Sequence, residues 1–93
     1  MVIAIIGWEL EIPGCRSLKE KRQVVKSLKD RLHDRFNVSV AETAHHDVWQ
    51  RAELTAALVA TDRRQADSVL ESLDGFVNGE PRARIIDSYR SYA

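Results

Sequence analysis

Five of the basic residues between Leu18 and Arg35 recur at spacings of three, four, three and four residues. On an α-helix this spacing places all five on a single flank. No acidic residue shares this flank, and only Lys26 has a carboxylate, that of Asp30, four residues further on. A row of Lys and Arg side chains neutralises phosphates and releases their counterions, so its four Lys and Arg predict contact with a nucleic-acid backbone. A solvated helix face is the alternative. We call this set the basic flank: Lys19, Arg22, Lys26, Lys29 and His33.

Lys21 differs from these residues because its position falls within the apolar stripe of the same helix. At about 100° per residue it lies close in angle to Val25 and Leu32. Glu42 is its counterpart on the next segment, where Val40 marks the core side. We predict an ion pair between Lys21 and Glu42. The alternative is that Lys21 reaches solvent along its aliphatic stem while a β-bulge turns Glu42 outward.

The start of this helix carries a second group of polar residues. Ser17 and Glu20 have the spacing of a capping box, which predicts a structural role for both. Helix N-termini also offer free N–H groups and positive potential to anions. Four arginines from neighbouring segments could form an anion pocket there, although the cap would compete for the same N–H groups: Arg16, Arg51, Arg82 and Arg84.

Other residues with catalytic or metal-binding chemistry lack partners at a useful spacing. Cys15, His45 and His46 do not follow a zinc-ligand spacing, and adjacent histidines on an extended chain point apart. His46 beside Asp47 has no companion nucleophile, so it does not make a triad. We therefore expect a binding protein rather than an enzyme, with no catalytic residue, no metal and no cofactor.

The elements that position these residues follow from the hydrophobic periodicity. Apolar residues alternate in four segments and recur at helical spacing in two, and Pro13–Gly14 and Gly79 with Pro81 end elements. The predicted order is strand Val2–Ile12, helix 18–35, strand Asn37–Thr43, turn 44–50, strand 51–60, helix 62–78 and strand Arg82–Tyr92.

The order β-α-β-β-α-β predicts an α+β fold of the ferredoxin-like kind, in one domain over residues 1–93. Its four-stranded antiparallel sheet would have strand order 4-1-3-2, with both helices on one face. Three segments should then cluster at one end of the domain: PGCRS, TAHHDVWQ and NGEPR. Trp8 and Trp49 are expected to be packing anchors near this end.

The sheet face away from the helices would carry apolar side chains. An uncovered apolar patch predicts a homodimer or a docked protein partner, which is the second hypothesis for function. The first three strands place no aromatic residue on this face, which disfavours base stacking there. The interface residues are Ile3, Ile5, Ala57 and Val59, with Ala41, Thr55 and Ile86 beside them.

Composition limits the remaining possibilities. Of 93 residues, 44% are hydrophobic and 30% are charged, as in a soluble globular domain. Lys plus Arg and Asp plus Glu are 14 each, so any attraction to nucleic acid must be local. The apolar run at residues 2–6 is short and lacks a preceding basic region, which predicts neither a membrane span nor a signal peptide. A single cysteine, which cannot form an internal disulfide, favours a cytoplasmic location.

Two long stretches resemble the YlxP-like family of small bacterial proteins. They are SLKEKRQVVKSLKDRLHDRFNVSVAE at residues 17–42 and VWQRAELTAALVATD at residues 48–62. The motifs SLKEKR, FNVSVAE and WQRA carry the likeness, which covers nearly the whole chain. The resemblance implies a ferredoxin-like fold and a cytoplasmic protein, and it implies no particular activity. Because members are often encoded among factors for translation initiation and ribosome maturation, it implies by association a role with ribosomal RNA or ribosome-assembly components.

Overall fold

Six elements follow one another in the predicted order. A computed structural model describes residues 1–93. Its elements are β1 (Val2–Glu11), α1 (Leu18–Arg35), β2 (Ser39–Ala44), β3 (Arg51–Ala60), α2 (Arg63–Asn78) and β4 (Arg84–Tyr92). The strands form one sheet in the order β2-β3-β1-β4, and every neighbouring pair is antiparallel. The ferredoxin-like prediction and its strand order are confirmed.

The sheet register decides which side chains meet the helices. β1 pairs with β3 along its whole length, from Val2 opposite Ala60 to Glu11 opposite Arg51. Because side chains alternate along a strand, the even positions of β1 face the helices and are buried. These residues are Ala4, Ile6, Trp8 and Leu10, and they pack with Leu28 and Leu32 of α1 and Leu70, Leu73 and Val77 of α2.

The two tryptophans have different environments. Trp8 is fully buried, and its indole N–H donates to Asp74 Oδ1 of α2 at 2.9 Å, so it anchors the core as predicted. Trp49 is 48% exposed, and the prediction that it is a packing anchor was wrong. It lies in the turn before β3, where Val48 and Gln50 are also exposed, outside the strand alternation that begins with β3.

The three predicted segments meet at one end of the sheet. Gln50 Nε2 donates to the Cys15 carbonyl at 3.2 Å, which joins the turn before β3 to the loop before α1. Pro13 and Gly14 line a groove with Pro81 and Arg82, which brings in the loop before β4. Neither helix combines the length with the apolar character that crossing a bilayer requires.

Candidate functional site

α1 begins at a side-chain cap. Ser17 Oγ accepts from the Glu20 backbone N–H at 3.1 Å, and Glu20 Oε2 accepts from the Arg16 N–H at 2.8 Å. The Glu20 carboxylate therefore reaches the residue before the cap instead of the N–H of Ser17 itself. Ser17 and Glu20 hold the first turn of the helix that carries the basic flank.

Lys21 lies on the buried face of α1, in contact with β2. Its ammonium lies 2.9 Å from Glu42 Oε2, with exposed side-chain fractions of 1% for Lys21 and 16% for Glu42. It also donates to the backbone carbonyl of His45. No other group bonds Glu42 Oε2, so the Lys21 ammonium is the group that neutralises it. A bulge does interrupt the pairing of β2 with β3 between Glu42 and Ala44, but Glu42 keeps its inward phase.

The flank of α1 that faces α2 carries cations that pair with an acid or pack on an aromatic ring. Arg31 pairs with the buried carboxylate of Glu80, which also accepts from the Arg82 guanidinium at 2.9 Å. Arg82 also donates to Ser27 Oγ at 3.1 Å, and the Arg31 guanidinium lies 5.6 Å from the centre of the Phe76 ring. The hydrogen bonds that Glu80 accepts lower its pKa to about 2 despite its burial, and those from Arg82 have a larger effect than the one from Arg31.

The basic flank lies on the opposite side of α1, towards the outer edge of the sheet. His33, a member of this flank, accepts from the Val40 N–H of β2, so the flank, which shares one side of the helix with His33, lies on the β2 side of α1. Lys26 pairs with Asp30 at 2.6 Å, and this contact raises the pKa of Lys26 and lowers that of Asp30. Lys29 is half-buried, and the other members of the flank are exposed: Lys19, Arg22, Lys26 and His33.

Unpaired cations are concentrated on α1. Eight of the 14 Lys and Arg residues form ion pairs: Lys21, Lys26, Arg31, Arg51, Arg63, Arg82, Arg84 and Arg90. The six others are Arg16, Lys19, Arg22, Lys29, Arg35 and Arg64. Arg35 lies over the Phe76 ring and Arg64 lies on α2. The remaining four lie on the basic flank or at its entrance, so this flank retains positive charge in a chain with no net charge.

The predicted anion pocket of Arg16, Arg51, Arg82 and Arg84 does not form as a single site. Arg51 pairs with Glu9 at 2.9 Å and Arg84 with Glu11 at 2.7 Å, both from odd positions of β1 and hence on the open sheet face. Arg82 pairs with Glu80 on the helix side. Three of the four guanidinium groups are thus already neutralised, Arg51 and Arg84 by acids of β1 on one face and Arg82 by Glu80 on the other.

The open face of the sheet has an apolar end. Ile3 lies opposite Val59 and Ile5 opposite Ala57 across the β1–β3 pair. Val59 is 68% exposed, whereas Ile3, Ile5 and Ala57 are half-buried. The predicted interface residues therefore form one patch, while Ile86 lies apart at a bulge in the pairing of β4.

Tyr89 is a feature of this face that the sequence reasoning missed. It lies opposite Gly7, and a Cβ on Gly7 would come within 2.1 Å of its ring. Glycine in the middle of an apolar strand was the available signal, because it marks a close approach by another group. Beyond Tyr89, the same face carries Glu53, Glu9 and Asp87 in one row across β3, β1 and β4.

Cys15, His45 and His46, from two of the segments that meet at one end of the sheet, occupy separate places. Cys15 is buried and its thiol contacts the Ser17 carbonyl at 3.3 Å. His45 Nε2 lies 2.6 Å from Glu9 Oε1 on the open face, while His46 Nε2 lies 3.0 Å from the Glu42 carbonyl. No group of three or more His, Cys, Asp or Glu side chains is arranged to hold a metal ion.

The fold and its surfaces define a small ferredoxin-like domain with one open sheet face and one charged helix flank. Two solved structures share the architecture: a de novo designed protein with ferredoxin fold, LFR1 1, and a mutant of SnoaB, a cofactor-independent oxygenase from Streptomyces nogalater. Both have a TM-score of 0.53 and cover 99% of this chain. The alignment covers 85% of the designed chain and 90% of the SnoaB chain. At 15% and 9% sequence identity, these likenesses concern the fold alone.

The chain belongs to the family described as "Protein of unknown function (DUF503)", which matches residues 3–90. It is 38% identical over 80 residues to "Uncharacterized protein YlxP" of Bacillus subtilis (strain 168), covering 86% of this chain and 87% of that protein. The resemblance to the YlxP-like family that the SLKEKR, FNVSVAE and WQRA motifs indicated is thus confirmed.

Proposed function

We propose that this protein is a non-enzymatic RNA-binding protein that contacts the phosphates of structured RNA, with ribosomal RNA as the expected class. The observation that carries the proposal is the concentration of unpaired cations on the basic flank. Lys19 and Arg22 are exposed, and Lys29 is half-buried without an ion pair. Charges without an acidic partner gain most from a phosphate, because no ion pair must be broken first.

The number of available cations sets the expected salt dependence. Three or four phosphate contacts give a plot of log affinity against log salt concentration with a slope of about −2 to −4. Phosphate contacts carry little base information, so sequence selectivity should be poor. A flat salt dependence would contradict the proposal.

The test is RNA binding at two salt concentrations for the natural chain and for a variant with Lys19, Arg22, Lys26 and Lys29 all changed to Glu. Circular dichroism and thermal unfolding establish that the variant folds. We expect the steep, salt-dependent affinity to disappear. If the natural chain does not bind structured RNA even at low salt, the proposal fails.

A matched pair of double variants separates position from net charge. Lys19→Glu with Arg22→Glu changes the basic flank, while Arg64→Glu with Arg84→Glu makes the same change in net charge elsewhere. We expect the first pair to weaken RNA binding strongly and the second to have little effect. An equal loss in both pairs would show that only net charge matters and would contradict a specific role for the flank.

The exposed apolar patch on the open sheet face supports a second candidate function, the docking of a partner or a second copy of the chain. Val59, 68% exposed, lies opposite Ile3 at the apolar end of this face, and a contiguous exposed apolar patch is typical of an interaction site. Val59→Glu would then reduce the molecular mass measured by light scattering while leaving RNA binding unchanged. Val59→Thr keeps the branched shape without a charge and serves as the control. A natural chain that is monomeric at all concentrations and captures no partner would contradict this candidate.

A further inference from the structure

β2 has an open outer edge, because it has a neighbouring strand on only one side. In an antiparallel pair, alternate residues direct their backbone groups towards the partner strand and away from it. The Val40 N–H and the Glu42 carbonyl are bonded by side chains outside the sheet. Val40 and Glu42 are therefore the residues whose backbone groups point away from β3. An added strand would use these same backbone groups.

Two histidines from different elements cover the ends of this edge. His33 of α1 accepts from the Val40 N–H through Nε2 at 3.3 Å. His46, in the turn after β2, donates through Nε2 to the Glu42 carbonyl at 3.0 Å. Between them, the Val40 carbonyl and the Glu42 N–H have no side-chain partner. Both histidines are exposed, so each can rotate away without opening the core.

We propose that the outer edge of β2 is a docking site for an extended acidic peptide segment of a partner protein, and that His33 and His46 cover it when no partner is bound. The peptide adds a fifth strand to the sheet. Its backbone takes over the hydrogen bonds of the two histidines and satisfies the two groups between them.

The positive charge of the basic flank, beside the outer edge of β2, favours an acidic partner. The basic flank runs beside β2, and Lys19, Arg22 and Lys29 have no ion pair. Acidic side chains on the added strand would neutralise these cations. A second copy of the chain paired through its own β2 would instead bring two basic flanks together, so the charges disfavour self-pairing.

This inference goes beyond the proposed function, because backbone pairing on β2 requires no RNA. The two ligands would share Lys19, Arg22 and Lys29, so a bound acidic strand should exclude RNA. Peptide binding is therefore measured in the absence of RNA, and its outcome is independent of whether RNA binds.

The test uses a labelled peptide of about six residues that alternates Glu and Val, the length of an ordinary strand. Binding is followed by fluorescence anisotropy and by the amide signals of Val40 and Glu42 in NMR. Two control peptides have Lys in place of Glu, or N-methyl groups on alternate backbone nitrogens. We expect only the Glu–Val peptide to bind and to shift the Val40 and Glu42 signals.

Variants of the edge sharpen the test. Changing His33 and His46 to Ala should raise peptide affinity about threefold to tenfold, because one or two hydrogen bonds no longer need to be displaced. Val40→Pro removes the outward N–H and should abolish binding, whereas Val40→Ala trims the side chain and keeps the N–H. If Val40→Pro does not fold, the N-methylated peptide performs the same test from the other side.

Four outcomes with these peptides and with the histidine variant would overturn the proposal. They are absence of binding by the Glu–Val peptide, equal binding of the N-methylated peptide, equal binding of the Lys–Val peptide, and self-association of the variant without the two histidines. Loss of RNA binding but not of peptide binding in Val40→Pro would also overturn it, since that result would assign the edge to RNA.

Discussion

The two flanks of α1 both carry basic residues, but these residues make different contacts. On the flank facing α2, Arg31 is tied to the buried Glu80 carboxylate and lies over Phe76. On the flank beside β2, Lys19 and Arg22 are exposed and have no ion pair. Both flanks belong to one 18-residue helix, so helix propensity and sequence composition do not explain the difference.

The difference shows how tertiary partners decide what a cation does. Glu80 is held between two guanidinium groups because the α2–β4 loop passes beside α1. No acidic element packs against the other flank, since β2 is the last strand of the sheet. Cations of the first flank therefore contribute to stability, whereas those of the second, apart from Lys26, have no acidic partner. Stability measurements and binding measurements should separate the two sets.

Lys21 should give the largest loss of stability. Lys21→Met keeps the aliphatic volume but leaves the Glu42 carboxylate and the His45 carbonyl without their cation. Breaking a buried ion pair from one side costs on the order of 3 kcal/mol in the free energy of unfolding. Denaturant unfolding measures this loss, and the double variant Lys21→Met with Glu42→Leu should recover most of it. A double variant no more stable than Lys21→Met would contradict the assignment of the loss to an unpaired Glu42.

Glu80 should give a loss of comparable size that depends on pH. Hydrogen bonds from Arg82 and Arg31 lower its pKa from 4.5 to about 2, so the folded state binds its proton less readily than the unfolded state. The contribution to stability, about 3 kcal/mol at most, is present above about pH 5 and is lost as the pH falls towards 2.

Denaturant unfolding across this pH range tests the assignment. Glu80→Gln should be destabilised at neutral pH and should lose stability less steeply in acid than the natural chain. Glu71→Gln, at an exposed ion pair with Arg90, is the matched control and should change little. Parallel pH profiles for the natural chain and Glu80→Gln would rule out Glu80 as the source of the acid sensitivity.

Substitution of Arg35 should give a smaller loss of stability. Arg35 lies on the flank of α1 that faces α2, and it has no ion pair. Its guanidinium lies 5.4 Å from the centre of the Phe76 ring, a cation–π contact at the surface. Arg35→Ala should lower the free energy of unfolding by about 0.5–1 kcal/mol. Arg35→Ala made in a Phe76→Leu background should cost less, because the ring is absent. The same cost in both backgrounds would show that the ring plays no part.

The fold could be predicted from the sequence because its signals are local. Alternation in β1 and β3 and the apolar stripes of both helices fix the faces, and the topology then brings Lys21 to Glu42. Predicting this ion pair required only knowing which residues of the first helix and of the following strand face the core. The basic flank is likewise a local pattern, so its five residues could be identified from their spacing alone.

What the sequence did not reveal depends on distant partners or on bulges. Arg31 and Glu80 are 49 residues apart, and Glu80 looks like a solvated loop acid beside Pro81. The bulge in β4 next to Leu10 separates Ile86 from the apolar patch and sets the register that places Tyr89 over Gly7. The contacts of His33 and His46 with β2 depend on side-chain reach across an edge, which periodicity does not describe.

The basic flank should give the smallest change in stability together with a large change in binding. Changing Lys19, Arg22 and Lys29 to Gln removes charges that have no acidic partner, so the free energy of unfolding should shift by no more than about 0.5 kcal/mol. RNA affinity at low salt should nevertheless fall steeply, and its salt dependence should flatten by about one unit of slope for each phosphate that is no longer neutralised. Denaturant unfolding and RNA titration on the same preparations provide the two readouts, and Glu80→Gln should show the reverse pattern. A stability loss as large as that of Glu80→Gln would mean that these cations also hold the fold, and the distinction between the two flanks would no longer stand.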